Sequence, residues 1–179
     1  MNRNQVLPLT TLSIDPQTLE RVDLTLPVAY LGNGFLTLQD LPRVAAEAHH
    51  ILDGDGFECS IQTQFLKDRV VLDLTISGHL RMPCQRCLGD YEVQITDQRR
   101  FVLVSTEAEA DDFPLDDDSQ EPLVASPNTD LLATIEDEIL LALPSAPKHP
   151  ESVCQLDPSA KASEPESPFK VLKNMKKKN

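Results

Sequence analysis

The chain has 179 residues, 40% of them hydrophobic, and a formal net charge of −13 at pH 7. This length favours a single domain with one modest core, and no apolar run approaches the roughly 20 residues that cross a bilayer. Residues 1–5 also lack the apolar stretch of a signal peptide, so a cytoplasmic protein with no membrane partner is expected. The acidic balance excludes a protein that coats nucleic acid over its whole surface, because phosphate contacts need Lys and Arg.

The first 52 residues predict extended chain followed by one helix. Residues 1–35 carry apolar side chains that suggest one or two extended segments. A helix is predicted over residues 40–52, with Asp40 as its cap, Pro42 in its first turn and Gly54 as a stop. Its apolar face consists of Leu41, Val44, Ala48 and Ile51. His49 and His50 end this helix, and no carboxylate cluster near them in sequence makes them ligands.

Residues 57–104 predict three consecutive antiparallel strands. Residues 57–66 alternate between apolar and polar side chains, and residues 70–80 repeat this alternation after a polar turn. A third strand follows over residues 91–104, with a bulge predicted near Asp97. The turn between the second and third strands contains Cys84 and Cys87, so this pair is expected at the tip of a hairpin. Residues 36–105 therefore form the helix and sheet part of the domain.

The segment 106–129 is predicted to be a mobile acidic loop. It contains eight carboxylates and three prolines but no Lys or Arg, a composition that cannot offset the entropy of ordering it. A second helix is expected over residues 130–144, capped by Thr129 or Asp130 and ended by Pro144. Its core-facing stripe consists of Leu132, Ile135, Ile139 and Ala142.

Residues 145–179 are expected to form a flexible tail with a basic end. The predicted fold class is α+β, with an antiparallel β-meander packed against two helices. The triplet Glu136–Glu138 is assigned to the polar face of the second helix, because consecutive helical residues point about 100° apart and cannot converge on one ion. Cys59 lies on the apolar face of its strand and is expected in the core.

A zinc site is the sharpest chemical hypothesis for the cysteines. Cys84 and Cys87 at a hairpin tip would supply two sulfurs, and His149 with Cys154 would complete a tetrahedral set if the chain folds back over the hairpin. Two alternatives remain open. The cysteines could pack as small side chains under the turn, or act as a redox dithiol, although a thioredoxin-like pair would open a helix rather than a strand.

Two groups of cations are candidates for contact with RNA or the ribosome. Four arginines lie on or beside the predicted hairpin and are expected to cluster at one end of the sheet: Arg81, Arg86, Arg99 and Arg100. The C-terminal lysines would make sequence-independent phosphate contacts: Lys170, Lys173, Lys176, Lys177 and Lys178. Neither group is accompanied by an aromatic platform or a known RNA-binding signature.

Four short motifs in a fixed order resemble the YceD family of large ribosomal RNA subunit accumulation proteins. They are Cys-Gln-Arg-Cys-Leu from Cys84, Glu-Asp-Glu-Ile-Leu-Leu-Ala-Leu-Pro from Glu136, Pro147-x-His149 followed by Cys154, and Ser-Pro-Phe-Lys-Val-Leu-Lys from Ser167. The resemblance extends over nearly the whole chain and is weakest at its N-terminus. It covers all four candidate zinc ligands.

The resemblance implies a non-catalytic ribosome biogenesis factor of the bacterial cytoplasm. Such a factor is needed for the synthesis, processing or stability of large-subunit (23S) ribosomal RNA. Its expected partners are this RNA or a pre-ribosomal particle, and basic ribosomal proteins, with no small-molecule substrate. Two alternatives come from other classes: a small zinc-stabilised adaptor that binds only proteins, and a thiol redox protein.

Overall fold

A computed structural model describes residues 7–66, 69–114 and 120–154. The strands in these ranges are β1 (Leu9–Thr11), β2 (Ala29–Thr37), β3 (Gly56–Leu66), β4 (Arg69–Pro83), β5 (Asp90–Val104) and β6 (Glu121–Val124). The helices are α1 (Pro16–Leu19), α2 (Pro42–Ala45), α3 (Glu107–Asp111) and α4 (Leu131–Ala142). All six strands form one sheet in the order β1-β2-β3-β4-β5-β6.

The three strands predicted from alternation are present and pair in antiparallel fashion, β3 with β4 and β4 with β5. The bulge predicted near Asp97 is wrong. Asp97 lies opposite Ile76 in a register that continues without interruption from the pair Val71–Val102 to the pair Pro83–Asp90. The β4–β5 hairpin is therefore a regular ribbon of 15 residues in each strand.

The sheet is mixed, so the prediction of an antiparallel meander is correct for its centre and wrong at its edges. At one edge β1 runs parallel to β2, and at the other β6 runs parallel to β5. A parallel neighbour needs a crossover of roughly a dozen residues or more, and residues 12–28 and 105–120 provide these connections. Each crossover contains a short helix, which explains why the described residues have four helices instead of two.

One face of the sheet carries the hydrophobic core. The buried side chains of β3, β4 and β5 on this face join those of α2 and α4, including Phe57, Ile76, Leu80, Val44 and Ile139, in one cluster. The opposite face of the three central strands is mostly polar, with Ser, Thr, Gln and charged side chains at most of its positions. Val71, Val102 and Val104 also lie on that face and are buried outside the main core cluster. In the described ranges no helix is long and apolar enough to cross a membrane.

The helix predicted over residues 40–52 is limited to α2, Pro42–Ala45. Asp40 does not cap it, because the Asp40 carboxylate accepts hydrogen bonds from the Thr37 backbone N–H (2.9 Å) and hydroxyl (2.7 Å) at the end of β2. Leu41 and Val44 are buried as predicted, whereas Ile51 is about half exposed. The helix does not extend to residue 52, because His49 and His50 attach to Arg81 near the end of β4 instead.

Helix α4 matches its predicted position but not its predicted polar face. Asp130 caps it by accepting a hydrogen bond from the Ala133 N–H at 2.8 Å. Glu136 and Glu138 are each only 4% exposed, so the assignment of this triplet to a solvated face is correct for Asp137 alone. Ala142, predicted to face the core, is exposed.

The Glu136 side chain caps another helix. Its Oε1 accepts a hydrogen bond from the Arg43 backbone N–H at 2.7 Å, in the first turn of α2. The Arg43 guanidinium pairs in turn with the exposed Asp137. A buried carboxylate on α4 thus replaces the local cap that α2 lacks.

The acidic segment 106–129 also departs from its prediction as a loop. Thr106 caps α3 by accepting a hydrogen bond from the Glu109 N–H at 3.2 Å, and residues 121–124 form the edge strand β6. The pairing of β6 with the end of β5 compensates for the low apolar content of this segment, because strand pairing satisfies its backbone groups.

Replacement of the buried cap tests this packing. Glu136→Ala leaves the Arg43 N–H without its partner, and we expect the free energy of unfolding to fall by about 1–3 kcal/mol. The matched control is Asp137→Ala, which removes an exposed ion pair and is expected to cost about 1 kcal/mol or less. Urea denaturation measures both values. Equal losses for the two variants would contradict the capping role of Glu136.

Candidate metal centre at the β4–β5 hairpin tip

The turn between β4 and β5 is a tight loop of residues 84–89. The Cys84 N–H donates to the Gly89 carbonyl at 2.8 Å, and the Leu88 N–H donates to the Cys84 carbonyl at 2.9 Å. Leu88 has a φ of 60°, a left-handed conformation that costs a residue with a side chain roughly 1 kcal/mol or more. This backbone geometry brings Cys84 and Cys87 to the same side of the turn.

The segment that follows α4 folds back onto this turn, as the zinc hypothesis requires. The Gln85 N–H donates to the Pro147 carbonyl at 2.8 Å, and the Arg86 guanidinium donates to the His149 carbonyl at 3.2 Å. The Cys154 N–H donates to the Pro150 carbonyl at 3.1 Å, which turns the chain so that Cys154 approaches the hairpin.

Four donor atoms converge at this point, and we call Cys84, Cys87, His149 and Cys154 the hairpin-tip cluster. Their ligand atoms all lie within 4.8 Å of one another. The Cys84 and Cys154 sulfurs are 3.9 Å apart, and the Cys87 sulfur is 3.4 Å from His149 Nδ1. Tetrahedral zinc would separate two sulfurs by about 3.8 Å and a sulfur from a nitrogen by about 3.5 Å. The donor set therefore fits zinc in chemistry and in size.

The surroundings of the cluster support thiolate ligands. Burial opposes ionisation of the Cys84 thiol, but N–H groups of Cys87, His149 and Arg86 point at its sulfur and lower its pKa to about 5. At Cys87 the Gly89 N–H favours the thiolate, whereas burial and the neighbouring thiols raise its pKa overall. Crowded thiolates repel one another, and a divalent cation among them would remove this repulsion.

Tyr91 orients the imidazole of the cluster. Its ring packs edge-to-face against the His149 ring with centroids 5.2 Å apart, an arrangement that aromatic pairs favour. Tyr91 is the second residue of β5, so the strand that carries the turn also supports the ligand that arrives from the distant segment. Cys59 lies elsewhere, 2% exposed in β3, and is a core residue as predicted.

The arginines nearest the turn are paired with carboxylates. The Arg81 guanidinium contacts Asp55, whose side chain is fully buried, and lies 3.8 Å from Glu92. Arg86 lies 3.6 Å from Glu151. Both arginines thus contribute to the local structure, Arg81 through a buried carboxylate and Arg86 through the His149 carbonyl and the exposed Glu151.

The prediction that four arginines cluster at one end of the sheet is wrong. Arg99 and Arg100 follow each other in β5 and so point to opposite faces. They lie nine and ten residues from the start of β5, about 30 Å along the strand. Arg100 pairs with Asp73 at 2.6 Å. Arg99 faces three carboxylates: Asp97, Glu121 and Glu138.

The comparisons with known proteins place the chain in a family. Residues 72–176, more than half of the chain, match the family model described as "Large ribosomal RNA subunit accumulation protein YceD". The chain belongs to the YceD family. A relative of that name from Haemophilus influenzae is 28% identical over 159 residues, which cover 81% of this chain and 87% of the relative. No solved structure matches the chain.

The YceD match includes all four residues of the hairpin-tip cluster and the whole of α4. In the structure these segments lie close together, because the chain that leaves α4 returns to the β4–β5 turn. The candidate lysines Lys170, Lys173, Lys176, Lys177 and Lys178 lie outside the described residues.

Sequence reasoning missed the buried carboxylates of α4, although a signal for them exists. Glu136 lies four residues after Leu132, and Glu138 lies three residues after Ile135, so both positions border the apolar stripe. Glu138 Oε2 is 2.8 Å from Arg99 Nε, an ion pair without hydrogen-bond alignment. This ion pair accounts for the direction of the Arg99 side chain, which points toward α4.

The pH dependence of stability tests this ion pair. Burial raises the pKa of Glu138, and Arg99 opposes the shift only in part. The folded chain then binds more protons than the unfolded chain, so unfolding free energy falls as the pH rises from about 4.3 through the raised pKa. In the Glu138→Gln variant we expect the unfolding free energy to stay nearly constant over this pH range. Denaturant unfolding at several pH values measures it.

Glu58→Gln is the control, since Glu58 is an exposed glutamate on the polar face of β3. This variant should keep the pH profile of the unchanged chain. If Glu138→Gln also keeps it, burial of Glu138 does not shape the profile.

Proposed function

We propose that this chain is a non-catalytic ribosome biogenesis factor that supports synthesis, processing or stability of large-subunit (23S) ribosomal RNA. The family name supports a role in accumulation of that RNA. The observation that carries the structural part of the proposal is the convergence of the hairpin-tip cluster. A zinc ion bound there would stabilise this end of the chain as a surface on which a partner can dock, in the cytoplasm where ribosomes assemble.

In this proposal zinc has a structural role. Four protein ligands close the coordination sphere, whereas a catalytic zinc keeps one position open for water or substrate. The ligands come from two parts of the chain that are separated by 61 residues, between Cys87 and His149. A bound ion would therefore hold the segment after α4 against the turn and add to the stability of the folded state.

The contact with a pre-ribosomal particle is proposed to have two parts. The arginines of the β4–β5 hairpin are paired with carboxylates, and Asp and Glu outnumber Lys and Arg in the described residues. The folded part of the chain is therefore suited to basic ribosomal proteins rather than to phosphates. The C-terminal lysines are suited to phosphate contacts that do not depend on sequence. The RNA and the protein partners of the particle would then be held by different parts of the same chain.

A thiol redox protein is the competing reading, and the lowered pKa of Cys84 favours it. Two observations weigh against it. The Cys84 side chain is buried, and the Cys84–Cys87 turn joins two strands rather than opening a helix. A protein-binding zinc adaptor without a ribosomal role would use the same hairpin-tip cluster. The RNA measurement below distinguishes it from the ribosome biogenesis factor.

Metal analysis tests the zinc site. We expect the purified chain to hold one zinc ion, and removal by a chelator to lower the melting temperature by about 5–10 °C. Cys154→Ala should lose the ion. Cys59→Ala is the matched control, because it removes a cysteine from the core outside the cluster and should retain a full equivalent.

Two results would count against a structural zinc. One is equal metal content in the Cys154→Ala and Cys59→Ala variants. The other is a metal-free chain that turns over a dithiol substrate, an activity that the redox reading requires.

The cellular role is tested by the ratio of large-subunit to small-subunit ribosomal RNA. We expect this ratio to fall in cells without the chain and to recover when the intact gene is restored. A gene with Lys→Gln at positions 170, 173, 176, 177 and 178 should restore it only in part, because phosphate contacts are lost. Lys148→Gln, an exposed lysine outside this group, should restore it fully.

An unchanged ratio in cells without the chain contradicts the ribosomal role and favours the adaptor. Full recovery with the five-lysine variant leaves the role intact and excludes the tail as its RNA contact.

A further inference from the structure

A second group of metal-ligating side chains lies beside the hairpin tip, and we call His49, His50 and Asp90 the His–His–Asp cluster. The Nδ1 atoms of both histidines are 2.7 Å from the same carboxylate oxygen of Asp90. The centroids of the two imidazole rings are 4.2 Å apart. The three ligand atoms lie within 4.8 Å of one another, so a single ion can contact all of them.

Backbone contacts hold both parts of this cluster in place. The His49 N–H donates to the Arg81 carbonyl at 2.7 Å, and His50 forms an isolated antiparallel bridge with Arg81. Asp90 lies opposite Pro83 at the first position of β5. The histidines are therefore attached to the end of β4 and the aspartate to its partner strand, and only the side chains need to adjust for an ion to enter.

The donor set suits a divalent transition metal. Two imidazole nitrogens and one carboxylate oxygen are favourable ligands for Zn²⁺, Ni²⁺ and Co²⁺. Ligand atoms on such an ion would be separated by about 3.3 Å, so each imidazole must move away from Asp90 by roughly half an ångström. The three side chains are between 35% and 59% exposed, which permits this movement and leaves room for water in the remaining positions.

Among the described residues, the neighbouring cations are paired with carboxylates other than Asp90. The Arg81 guanidinium is directed to Asp55 and Glu92. His79, the histidine of β4, lies 3.4 Å from Asp55. The partners of Asp90 in the described structure are thus two imidazoles, both of which bind metals in their neutral form.

We propose that His49, His50 and Asp90 form a second, open metal site that binds one divalent transition-metal ion with water as the remaining ligand. It differs from the hairpin-tip cluster in having no sulfur ligand and an incomplete set of protein ligands. An ion there would fasten the segment after α2 to the start of β5. The proposal does not depend on the ribosomal role.

Calorimetry with Ni²⁺ tests the proposal on the full chain already loaded with one equivalent of Zn²⁺. We expect one further equivalent to bind and to raise the melting temperature, since the ion binds the folded state. Asp90→Asn and the double variant His49→Asn with His50→Asn should weaken this binding at least about tenfold. His79→Asn is the matched control and should bind Ni²⁺ as the unchanged chain does.

Zinc released during the titration is measured in parallel, so that exchange at the hairpin-tip cluster is recognised. The proposal is overturned by a lack of heat beyond the zinc equivalent, by Ni²⁺ binding accompanied by equal zinc release, or by unchanged binding in both variants. Circular dichroism confirms that each variant is folded. If the chain binds no zinc, the metal-free chain is titrated with Co²⁺ instead. Binding of Co²⁺ without thiolate-to-cobalt absorption supports the proposed site, because that site has no sulfur ligand, and a lack of such binding overturns the proposal.

Discussion

The β4–β5 hairpin is the constraint on which the rest of this structure depends. Its 15-residue strands pair in one uninterrupted register. A shift of one residue would exchange the two faces of a strand, so this register decides that Arg99 faces α4 while Arg100 faces the polar side. The hairpin also carries Cys84 and Cys87 at its tip, and the end of β4 is where His49 and His50 attach.

The buried carboxylates of α4 connect the hairpin to the helical layer. Glu136 reaches α2 through the Arg43 N–H, and Glu138 reaches β5 through Arg99. Removing the partner of a buried charge costs far more than removing an exposed pair, so these contacts restrict how α4 can lie on the sheet. The orientation of α4 in turn sets the direction in which the chain leaves it, toward the turn that His149 and Cys154 approach.

The two candidate metal sites of the described residues lie at one end of the sheet. The hairpin-tip cluster and the His–His–Asp cluster both lie where β4 ends and β5 begins. The arginines along the hairpin are paired with acidic side chains, and Asp and Glu outnumber Lys and Arg in the described residues, so this part of the chain is acidic.

The sequence by itself determined the central strands, helix α4, the four candidate zinc ligands and the family. These features depend on local alternation, on caps such as Asp130 and on short motifs, all of which are encoded by neighbouring residues. Tertiary structure decided the parallel edge strands, the length of α2 and the burial of Glu136 and Glu138. Asp40 shows the physical reason. Its carboxylate accepts a hydrogen bond from Thr37 instead of capping α2, and α2 is capped by Glu136, which lies 93 residues after Arg43 in the sequence. The meeting of His49 and His50 with Asp90 likewise depends on a bridge to β4 that no local pattern encodes.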